Sequence, residues 1–491
     1  MLGDAYTAAT MNRLQSLLAL ALLITACGDS SNNVGDDAST IDAGPAFPAW
    51  KAGREPAVTT IGVRRTLTPV RGIIHLHSPL SHDACDGQGY REETGTIDED
   101  CLSDLRSALC TMHIDFAALT DHDDFFADQD FEETYLQRSD DALVRNDKGD
   151  AVASRITCED GHEVLWTVGS ENALMPVMLD RHPVGTIEDR KAIYNSNNAT
   201  TANAFRDQGG LTFLAHTEDK DIELLRSLGL DGLEIYNLHA NLDPGIREEF
   251  LGLDGPAAFR AALDFAGVDE LGPEPDLAMI AFLEPSNVAL QKWDTLLGEG
   301  LRLTGTAGTD AHQNALPVMF RDGERGDSYR RMISWFSNIA LVETPGDHES
   351  LQDSLDKGRS FVAFEIMGSP SGFDVRATKA NSATLELGDE AQSDAGYQLV
   401  VTTPSVFGLD ASLPTPEMRV SILHVDESGS REVASGTSGD VTTPLSSPGA
   451  YRVEVYITPK HLSPYLGNLG PEHAEKELPW IYSNPIYVVA P

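Results

Sequence analysis

Basic residues are scarce in this chain relative to acidic ones. Its 491 residues include 35 Lys and Arg against 77 Asp and Glu, which gives a formal net charge of −42 at pH 7. Such a charge repels phosphate backbones and anionic lipid headgroups, so we expect no nucleic-acid partner. A few metal-binding carboxylates cannot account for an excess of this size, and most acidic side chains are expected to form a solvated surface.

A hydrophobic run long enough to span a bilayer is also lacking at the start of the chain. The apolar residues 14–24 follow Met11-Asn12-Arg13 and are too few for a spanning helix, but they suit a secretory signal. Residues 24–27 (ITAC) resemble a bacterial lipobox. We therefore expect a lipoprotein signal peptide over 1–26, lipidation of Cys27, and a membrane-anchored protein facing the periplasm or cell exterior. The alternative is a plain secretory signal with an incidental cysteine.

The region after Cys27 is poor in apolar residues and begins with a stretch rich in Asp, Ser, Asn and Gly. Such a composition cannot bury a core, so residues 27–62 are interpreted as a flexible tether. The membrane is then contacted through the lipid anchor only.

Cysteine is rare as well, with five in the chain. If Cys27 carries lipid, an even number remains for disulfides in an oxidising compartment: Cys85, Cys101, Cys110 and Cys158.

The remaining chain shows two successive patterns, as its length suggests for at least two domains. Up to about residue 360, short apolar runs alternate with helix-like segments such as 102–109. Seven runs are predicted strands: 72–76, 115–120, 164–170, 211–215, 231–236, 303–307 and 339–343. This alternation predicts an α/β domain over 63–366 with a parallel sheet, closed or nearly closed into a barrel. Runs at 397–402, 419–424, 451–457 and 486–489, separated by turn residues, predict a β-sandwich over 367–491.

Histidines and carboxylates follow five of the predicted first-domain strands. A lone histidine at a strand end is usually structural or merely exposed, but here two pairs have i, i+2 spacing, which puts both side chains on one side of a strand. In barrels of alternating strands and helices, catalytic groups gather at the carboxyl ends of the strands. The residues concerned are His75, His77, His122, Glu171, His216, Asp310 and His312.

The order of these motifs resembles the polymerase and histidinol phosphatase (PHP) family of metal-dependent hydrolases. The resemblance covers residues 70–315 and rests on His-x-His, Thr-Asp-His, Gly-x-Glu, Ala-His and Asp-x-His, in that order. It is greatest for the branch with carbamate-hydrolysing members, through residues 232–237 (GLEIYN) and 479–485 (PWIYSNP).

This resemblance implies a distorted (β/α)7 TIM-like barrel that holds two or three divalent metal ions. His75, His77, Glu171 and Asp310 are implied around one ion, and Glu171 is implied to bridge to a second ion bound by His216. Asp83, His122 and His312 are implied at a third, with His82 as the alternative to Asp83. The family needs one more histidine after the glutamate, and His182 is the only histidine between Glu171 and His216.

The ligand set indicates the chemistry. Imidazole and carboxylate without thiolate suit Zn, Mn or Fe, and clustered dications generate hydroxide from water near neutral pH. The sequence has no Gly-x-Ser-x-Gly elbow and no phosphate-cradling loop. We therefore predict a phosphoesterase acting on a small-molecule or extracellular ester. The alternatives are a carboxyl-ester, carbamate or amide hydrolase with the same metals, or a surface binding protein without turnover, against which the complete ligand set argues.

Two further residues are candidates for contact with the substrate. His239 follows the fifth predicted strand and could donate a proton, although a structural role is the alternative. Arg325 lies in an Arg-rich segment after Asp-x-His and could clamp a substrate anion. Pairing with the neighbouring acidic residues is the other interpretation for Arg325.

The predicted topology favours one disulfide pairing. Cys85 follows the first strand and Cys101 begins the first helix, so both are expected at the active-site face, whereas Cys110 and Cys158 are expected at the far end. Because a disulfide needs Cα atoms within roughly 7 Å, Cys85–Cys101 and Cys110–Cys158 are predicted. Free buried thiols, or Cys85 as a metal ligand, are the alternatives.

Overall fold

The computed structural model describes residue 50 and residues 54–146, 148–266 and 272–491. The predicted signal peptide, the lipidation of Cys27 and most of the tether lie outside these residues. The strands of the described part are β1 (Thr68–Leu76), β2 (Tyr90–Arg91), β3 (Thr96–Ile97), β4 (Phe116–Leu119), β5 (Ala142–Arg145), β6 (Ala151–Thr157), β7 (Glu163–Val168), β8 (Met175–Val177), β9 (Leu211–Phe213), β10 (Gly232–Asn237), β11 (Thr304–Ala311), β12 (Ser337–Val342), β13 (Ser360–Ala363), β14 (Pro370–Ser371), β15 (Asp374–Thr378), β16 (Glu390–Gln392), β17 (Gln398–Thr402), β18 (Ser405–Val406), β19 (Glu417–Asp426), β20 (Gly429–Gly436), β21 (Asp440–Pro444), β22 (Gly449–Thr458), β23 (Leu478–Ser483) and β24 (Ile486–Val489).

The α-helices of five or more residues mostly lie between these strands. They are α1 (Glu99–Thr111), α2 (Ile187–Tyr194), α3 (Ala199–Arg206), α4 (Ile222–Leu228), α5 (Leu238–Leu242), α6 (Gly255–Leu263), α7 (Asn287–Gly298), α8 (Tyr329–Ile333) and α9 (His348–Asp356). Shorter helical turns occur at Ala57–Thr60, Ala84–Gly87, Asp123–Phe126, Pro244–Ile246 and Gly470–His473. Among the described residues, no helix has both the length and the apolar character that crossing a membrane requires.

Five parallel strands form the part of the sheet that carries the predicted site. They are hydrogen-bonded in the order β10, β11, β1, β4, β7, with Ile74 opposite Gly308 and Gly72 opposite Phe116. Their residues are almost all buried, as expected for parallel strands covered on both faces. Because the strands are parallel, their carboxyl ends meet at one edge.

The two ends of this parallel group are connected through β8 and β9. Leu179 N donates to Val168 O (2.8 Å), which connects the β8 segment to β7. Strand β9 pairs with β8, and Glu234 N of β10 donates to Leu214 O (3.0 Å), just after β9. A path of backbone hydrogen bonds thus leads from β7 back to β10.

All seven strands predicted for the first domain are present, but the prediction that all run parallel is wrong for the seventh. Strand β12 pairs antiparallel with β1, with Thr68 opposite Val342. A parallel strand needs a crossover that returns the chain to the opposite edge. The segment before β12 contains only the short α8, whose Tyr329 hydroxyl donates to His77 O (3.0 Å) at the site edge. The chain therefore enters β12 from that edge.

The large mixed sheet contains strands from both sides of residue 366, where the sequence suggests a domain boundary. Beyond β12 the order is β13, β23, β22, β24 and β16, and β19 and β20 extend from β22. A separate sheet contains β15, β17 and β21. Buried contacts also join the two parts: Arg452 pairs with Asp294 (2.7 Å), and Gly305 N donates to Asn484 Oδ1 (2.7 Å). The four late strands are confirmed, whereas the sandwich and the boundary stay predictions.

Both predicted disulfides are present in the structure. Cys85 pairs with Cys101 and Cys110 with Cys158, with Cα atoms 6.1 and 5.6 Å apart. Helix α1 carries one cysteine of each pair near opposite ends, and the Asp98 carboxylate caps it by accepting from Cys101 N (3.0 Å). Thiol ligation of a metal by Cys85 is excluded in this arrangement.

Candidate metal centre

The structure brings most of the predicted ligands together at the carboxyl ends of the parallel strands. His75 lies within β1 and His77 just after it, and Asp310 lies within β11 with His312 just after it. His122 and Glu171 follow β4 and β7, and His216 follows β9. Five of the seven are buried, with relative exposures of 0% for His75 and His77 and 7% for Glu171, Asp310 and His312, whereas His122 and His216 are partly exposed.

One group of possible ligand atoms surrounds the Asp310 carboxylate. Its Oδ1 lies 3.1 Å from His75 Nε2 and 3.4 Å from His77 Nε2. Glu171 Oε2 lies 3.7 and 3.8 Å from the same two nitrogens. These four side chains can each direct one ligand atom at a single ion.

Two further groups share members with the first. In one, Asp83 Oδ2 lies 3.2 Å from His312 Nε2 and 3.8 Å from His122 Nε2, and His77 stacks on His312 with ring centroids 3.7 Å apart. In the other, His216 and His239 converge on Asp310.

Glu171 and Asp310 both lie close to the imidazole of His216. His216 Nε2 lies 3.5 Å from Asp310 Oδ2 and 3.3 Å from Glu171 Oε1. The two carboxylates therefore border more than one group, which is the arrangement expected of bridging ligands.

Five imidazoles share one hydrogen-bonding pattern: each has its Nδ1 against a protein oxygen, which leaves Nε2 for the centre of the cluster. The pairs are His75 with Glu234 (2.6 Å), His77 with Ser81 (3.1 Å), His122 with Glu171 O (2.5 Å), His216 with Glu218 (3.3 Å) and His312 with Asp310 O (2.8 Å). Metal-binding histidines characteristically donate their other ring N–H in this way.

Several buried atoms in the cluster have no hydrogen bond of acceptable geometry. They are Nε2 of His75, His77 and His312 and Oδ1 of Asp310. A buried polar atom without a partner is costly, so such atoms seldom occur together by chance. All four atoms belong to residues of groups whose ligand atoms lie within 4.8 Å of one another, so bound cations could satisfy them. The residues present therefore fit a metal centre.

The electrostatics of the cluster favour the metal-binding protonation state for Glu171, Asp310 and His77, whereas His312 must lose a proton before it can bind a metal. Burial alone would raise the pKa of Glu171 and of Asp310, but neighbouring imidazoles, above all His75, hold both pKa values well below the usual range. Burial and the neighbouring His312 lower the pKa of His77 to about 3, so this ring is neutral. Although burial opposes it, Asp83 raises the pKa of His312 to about 9.

The backbone at the site is held in an unusual conformation. His75, His216 and Asp310 have φ values of 68°, 52° and 51°, in the left-handed region that residues with a side chain rarely adopt. At His75 the register of β1 with both of its parallel neighbours, β4 and β11, is irregular. Backbone strain of this kind is concentrated at functional sites.

Glu234 is a further site residue, and it lies in the motif 232–237 rather than in any of the predicted ligand motifs. Its Oε1 contacts His75, and its Oε2 accepts from His216 N (3.0 Å) and Asn237 Nδ2 (2.8 Å). A Cβ on Gly308 would lie 1.7 Å from Glu234 Oε1. Gly308 is therefore required for this carboxylate to reach the site.

The structure corrects two predicted site residues. His182 is not with the other ligands: its Nδ1 bonds to the Tyr194 hydroxyl (2.9 Å) and its Nε2 to Gln129 O (3.2 Å), so neither nitrogen is free for a metal. Arg325 is not free to clamp a substrate, because its guanidinium is bound by Asp86 (2.8 Å) and Asp327 (2.6 Å).

The structure also shows where two other predicted site residues, Asp83 and His239, lie. Asp83 is in the ligand group, whereas His82 is half exposed and pairs with Asp124 (2.9 Å). His239 is at the site, with Nδ1 2.9 Å from Asp310 Oδ2 and 44% of its side chain exposed.

A separate acidic group does not fit a metal. Asp276, Asp322 and Glu324 lie close together, beside a surface cavity of about 350 Å³ that shares no lining residue with the cluster. Arg330 and Arg331 both pair with Asp276, and each also contacts Glu324. These carboxylates are already neutralised by guanidinium groups.

No protein-family model and no curated protein matches the chain. Two solved structures resemble it. One is a two-domain protein from Bacteroides vulgatus containing a predicted PHP-like metal-dependent phosphoesterase, with 12% identity over 90% of this chain and 100% of that chain and a TM-score of 0.30. The other is PsfC from Pseudomonas syringae, with 11% identity over 60% of this chain and 91% of that chain and a TM-score of 0.31. TM-scores this low do not establish a shared fold.

Proposed function

We propose that this chain is a metal-dependent hydrolase of the PHP type that acts on phosphoesters. The observation that carries the proposal is the set of five imidazoles whose Nδ1 atoms are held by protein oxygens while their Nε2 atoms meet three carboxylates. A bound cation would satisfy the buried polar atoms of this cluster that otherwise have no partner.

The residues are proposed to hold two or three divalent ions, with Zn, Mn or Fe suited to the imidazole and carboxylate donors. His75, His77, Glu171 and Asp310 would hold one. His216, with Glu171 and Asp310, would hold a second. Asp83, His122 and His312 would hold a third, with His77 at the border of the first and third.

Bound dications would supply an activated water and stabilise charge on the phosphoryl oxygens. The chain's own contribution is to keep Glu171 and Asp310 ionised, to fix the tautomers of the five imidazoles, and to exclude bulk water by burial. His239 is proposed to donate a proton to the leaving-group oxygen. Its Nδ1 contacts Asp310 and its side chain is half exposed, so it borders both the cluster and the solvent.

Three further proposals concern the setting of this site. We propose that β1, β4 and β7–β11 form a barrel, which the hydrogen-bond path through β8 and β9 supports. Export is supported by the two disulfides, since these persist in oxidising compartments. Anchoring through Cys27, and a small-molecule or extracellular ester as substrate rather than nucleic acid, follow from the sequence and its net charge of −42.

The proposal is tested by hydrolysis assays on the full-length chain supplied with Mn²⁺, Zn²⁺ or Fe²⁺. Bis(p-nitrophenyl) phosphate, p-nitrophenyl phosphate and p-nitrophenyl acetate are the probes. We expect hydrolysis of a phosphoester that His77→Ala reduces at least about 1000-fold. As the matched control, His113→Asn should retain activity, since His113 lies outside the ligand groups and Asn tolerates its left-handed backbone.

Two outcomes would contradict the phosphoesterase proposal. Hydrolysis of the acetate ester alone would assign carboxyl-ester chemistry to the same metals. Metal binding without turnover of any probe would favour a binding protein.

A further inference from the structure

The segment that carries Asp83 has a conformation that its own sequence does not favour. In the helical turn Ala84–Gly87, Cys85 and Asp86 both have φ of 56°, in the left-handed region. Consecutive residues with side chains rarely adopt this conformation, because the Cβ atom comes too close to the following carbonyl oxygen. Contacts from elsewhere in the chain must therefore hold the turn.

Those contacts come from the segment that carries His312. Cys85 N donates to His312 O (2.8 Å), Asp86 N to Gln313 O (3.2 Å), and Asn314 Nδ2 to Asp83 O (2.9 Å). Two loops, one after β1 and one after β11, thus lie side by side. Each loop supplies one member of the Asp83–His312 pair, whose Oδ2 and Nε2 atoms lie 3.2 Å apart.

Two connections fasten this pair of loops to the rest of the molecule. The first is the disulfide from Cys85 to Cys101 in the first turn of α1. The second is Arg325, which binds Asp86 through two hydrogen bonds (2.8 and 3.0 Å) and donates to Gln313 O (3.3 Å). Because Asp86 is half exposed, the ion pair is expected to be the weaker connection.

The group around His75 has a different support. His75 and Asp310 lie within β1 and β11, and Glu171 N is bonded to Thr120 O (2.8 Å) after β4. These ligands are positioned by the parallel strands and by Glu234, whose side chain contacts neither Cys85 nor Arg325. Release of the loops can therefore leave His75, Glu171 and Asp310 in place. His77, which belongs to both groups, is hydrogen-bonded to Asp83 only through Ser81.

We infer that the Cys85–Cys101 disulfide and Arg325 are positioning elements for one ion only, the ion held by His77, Asp83, His122 and His312. This inference rests on the proposed function, since it assumes that the cluster binds metal. Loss of either connection lets Cys85 and Asp86 relax out of the left-handed conformation and moves Asp83 away from His312. The ion next to His75 stays bound.

The chain contains a matched control. Cys110–Cys158 closes a sequence separation of 48 residues, against 16 for Cys85–Cys101, so its removal should destabilise the fold more. Cys110 lies nine residues beyond Cys101 along α1, about 13 Å away, so its removal should not reach the loops. General destabilisation and selective loss of one ion are thereby separated.

The test is the stoichiometry and affinity of Mn²⁺ in the full-length chain, measured by equilibrium dialysis with elemental analysis. We expect Cys85→Ser/Cys101→Ser to weaken one ion's binding at least tenfold and to leave the remaining ions unchanged. Arg325→Ala should act in the same direction but less, with partial rescue in Arg325→Lys. Cys110→Ser/Cys158→Ser should retain every ion, despite a lower unfolding temperature.

Two results would overturn the inference: retention of every ion at wild-type affinity in Cys85→Ser/Cys101→Ser, or equal weakening of all ions in both double variants. If the wild type binds several ions and hydrolyses ester while either result is obtained, the inference alone fails. If the wild type binds no ion, the proposed function fails and the inference falls with it.

Discussion

The Nδ1 atom of His75 lies 2.6 Å from Oε1 of Glu234, and both side chains are completely buried. This contact fixes the imidazole with its proton on Nδ1, so that Nε2 is available to a metal. The other Glu234 oxygen accepts from His216 N, which joins the ends of β1, β9 and β10. Glu234 is therefore a positioning residue for two histidines at once.

We predict that Glu234→Gln weakens metal binding by about 10- to 100-fold, the usual effect of losing a partner of a ligating histidine. The Gln side chain has the same shape as Glu234. Its NH2 group, however, cannot accept the hydrogen bonds that His216 N and Asn237 Nδ2 donate to Oε2 of Glu234. Metal affinity measured by competition with a chelator checks this. Glu365→Gln is the control, because Glu365 is equally buried against Arg71 but lies outside the ligand groups. Equal effects of the two variants would remove the special role of Glu234.

A second prediction concerns His239 as proton donor. His239→Ala should lower kcat for a phosphoester with an alkoxide leaving group by about 100-fold or more, since general acid catalysis contributes on that scale. The p-nitrophenyl ester should be affected much less, because its leaving group needs no proton. Metal content should stay at the wild-type value. A variant that loses an ion, or that slows both esters equally, would show that His239 is a ligand instead.

A third prediction follows from the buried neutral His182. Burial, with a smaller effect of Arg190, lowers the pKa of His182 from 6.5 to about 4. The unfolded chain therefore takes up the proton first as pH falls, so the stability contributed by neutral His182 is full above pH 6.5 and is lost towards pH 4. Between pH 7 and 5 this amounts to roughly 2 kcal/mol.

His182→Gln removes this titrating group while leaving the cluster untouched. Urea unfolding at pH 7 and pH 5, with the same saturating metal, should show a smaller loss of stability in the variant than in the wild type. An identical loss in both proteins would mean that His182 is not held neutral by its burial.

A fourth prediction tests the anchor. Cys27→Ser in the full-length chain should abolish labelling by a fatty-acid analogue and move the protein from the membrane fraction to the soluble exported fraction. The physical reason is that lipidation at Cys27 is the only membrane contact proposed. Unchanged labelling and fractionation would contradict the lipoprotein proposal.

The strand positions were predictable because buried parallel strands are continuous apolar runs that end at turn residues. What could not be predicted is the pairing of strands far apart in sequence. Strand β12 is antiparallel because the segment before it stays at the site edge, and this depends on tertiary contacts such as that of Tyr329 with His77 O. The hairpin of β5 and β6, which extends the sheet beyond β7, was missed because its residues lack a long apolar run.

The site was predictable to the extent that local spacing determines it. His75 and His77 do reach the same ligand group, although a register irregularity at His75 replaces the regular strand assumed from the i, i+2 spacing. His182 was misassigned because its position in the chain suited a ligand, whereas the Phe126 and Phe131 rings that enclose it are brought there only by folding. Position in sequence does not reveal which histidines are enclosed by apolar groups.

The central claim, that the cluster is a metal centre, is tested most directly by the metal content of the purified full-length chain, measured by elemental analysis without chelators. We predict at least two divalent ions per wild-type chain. Asp310→Ala should lose most of them, because Asp310 belongs to two of the three ligand groups, while His182→Gln should retain them all. A correctly folded wild-type chain that contains no divalent ion, and that takes up none from Mn²⁺, Zn²⁺ or Fe²⁺, would contradict the account.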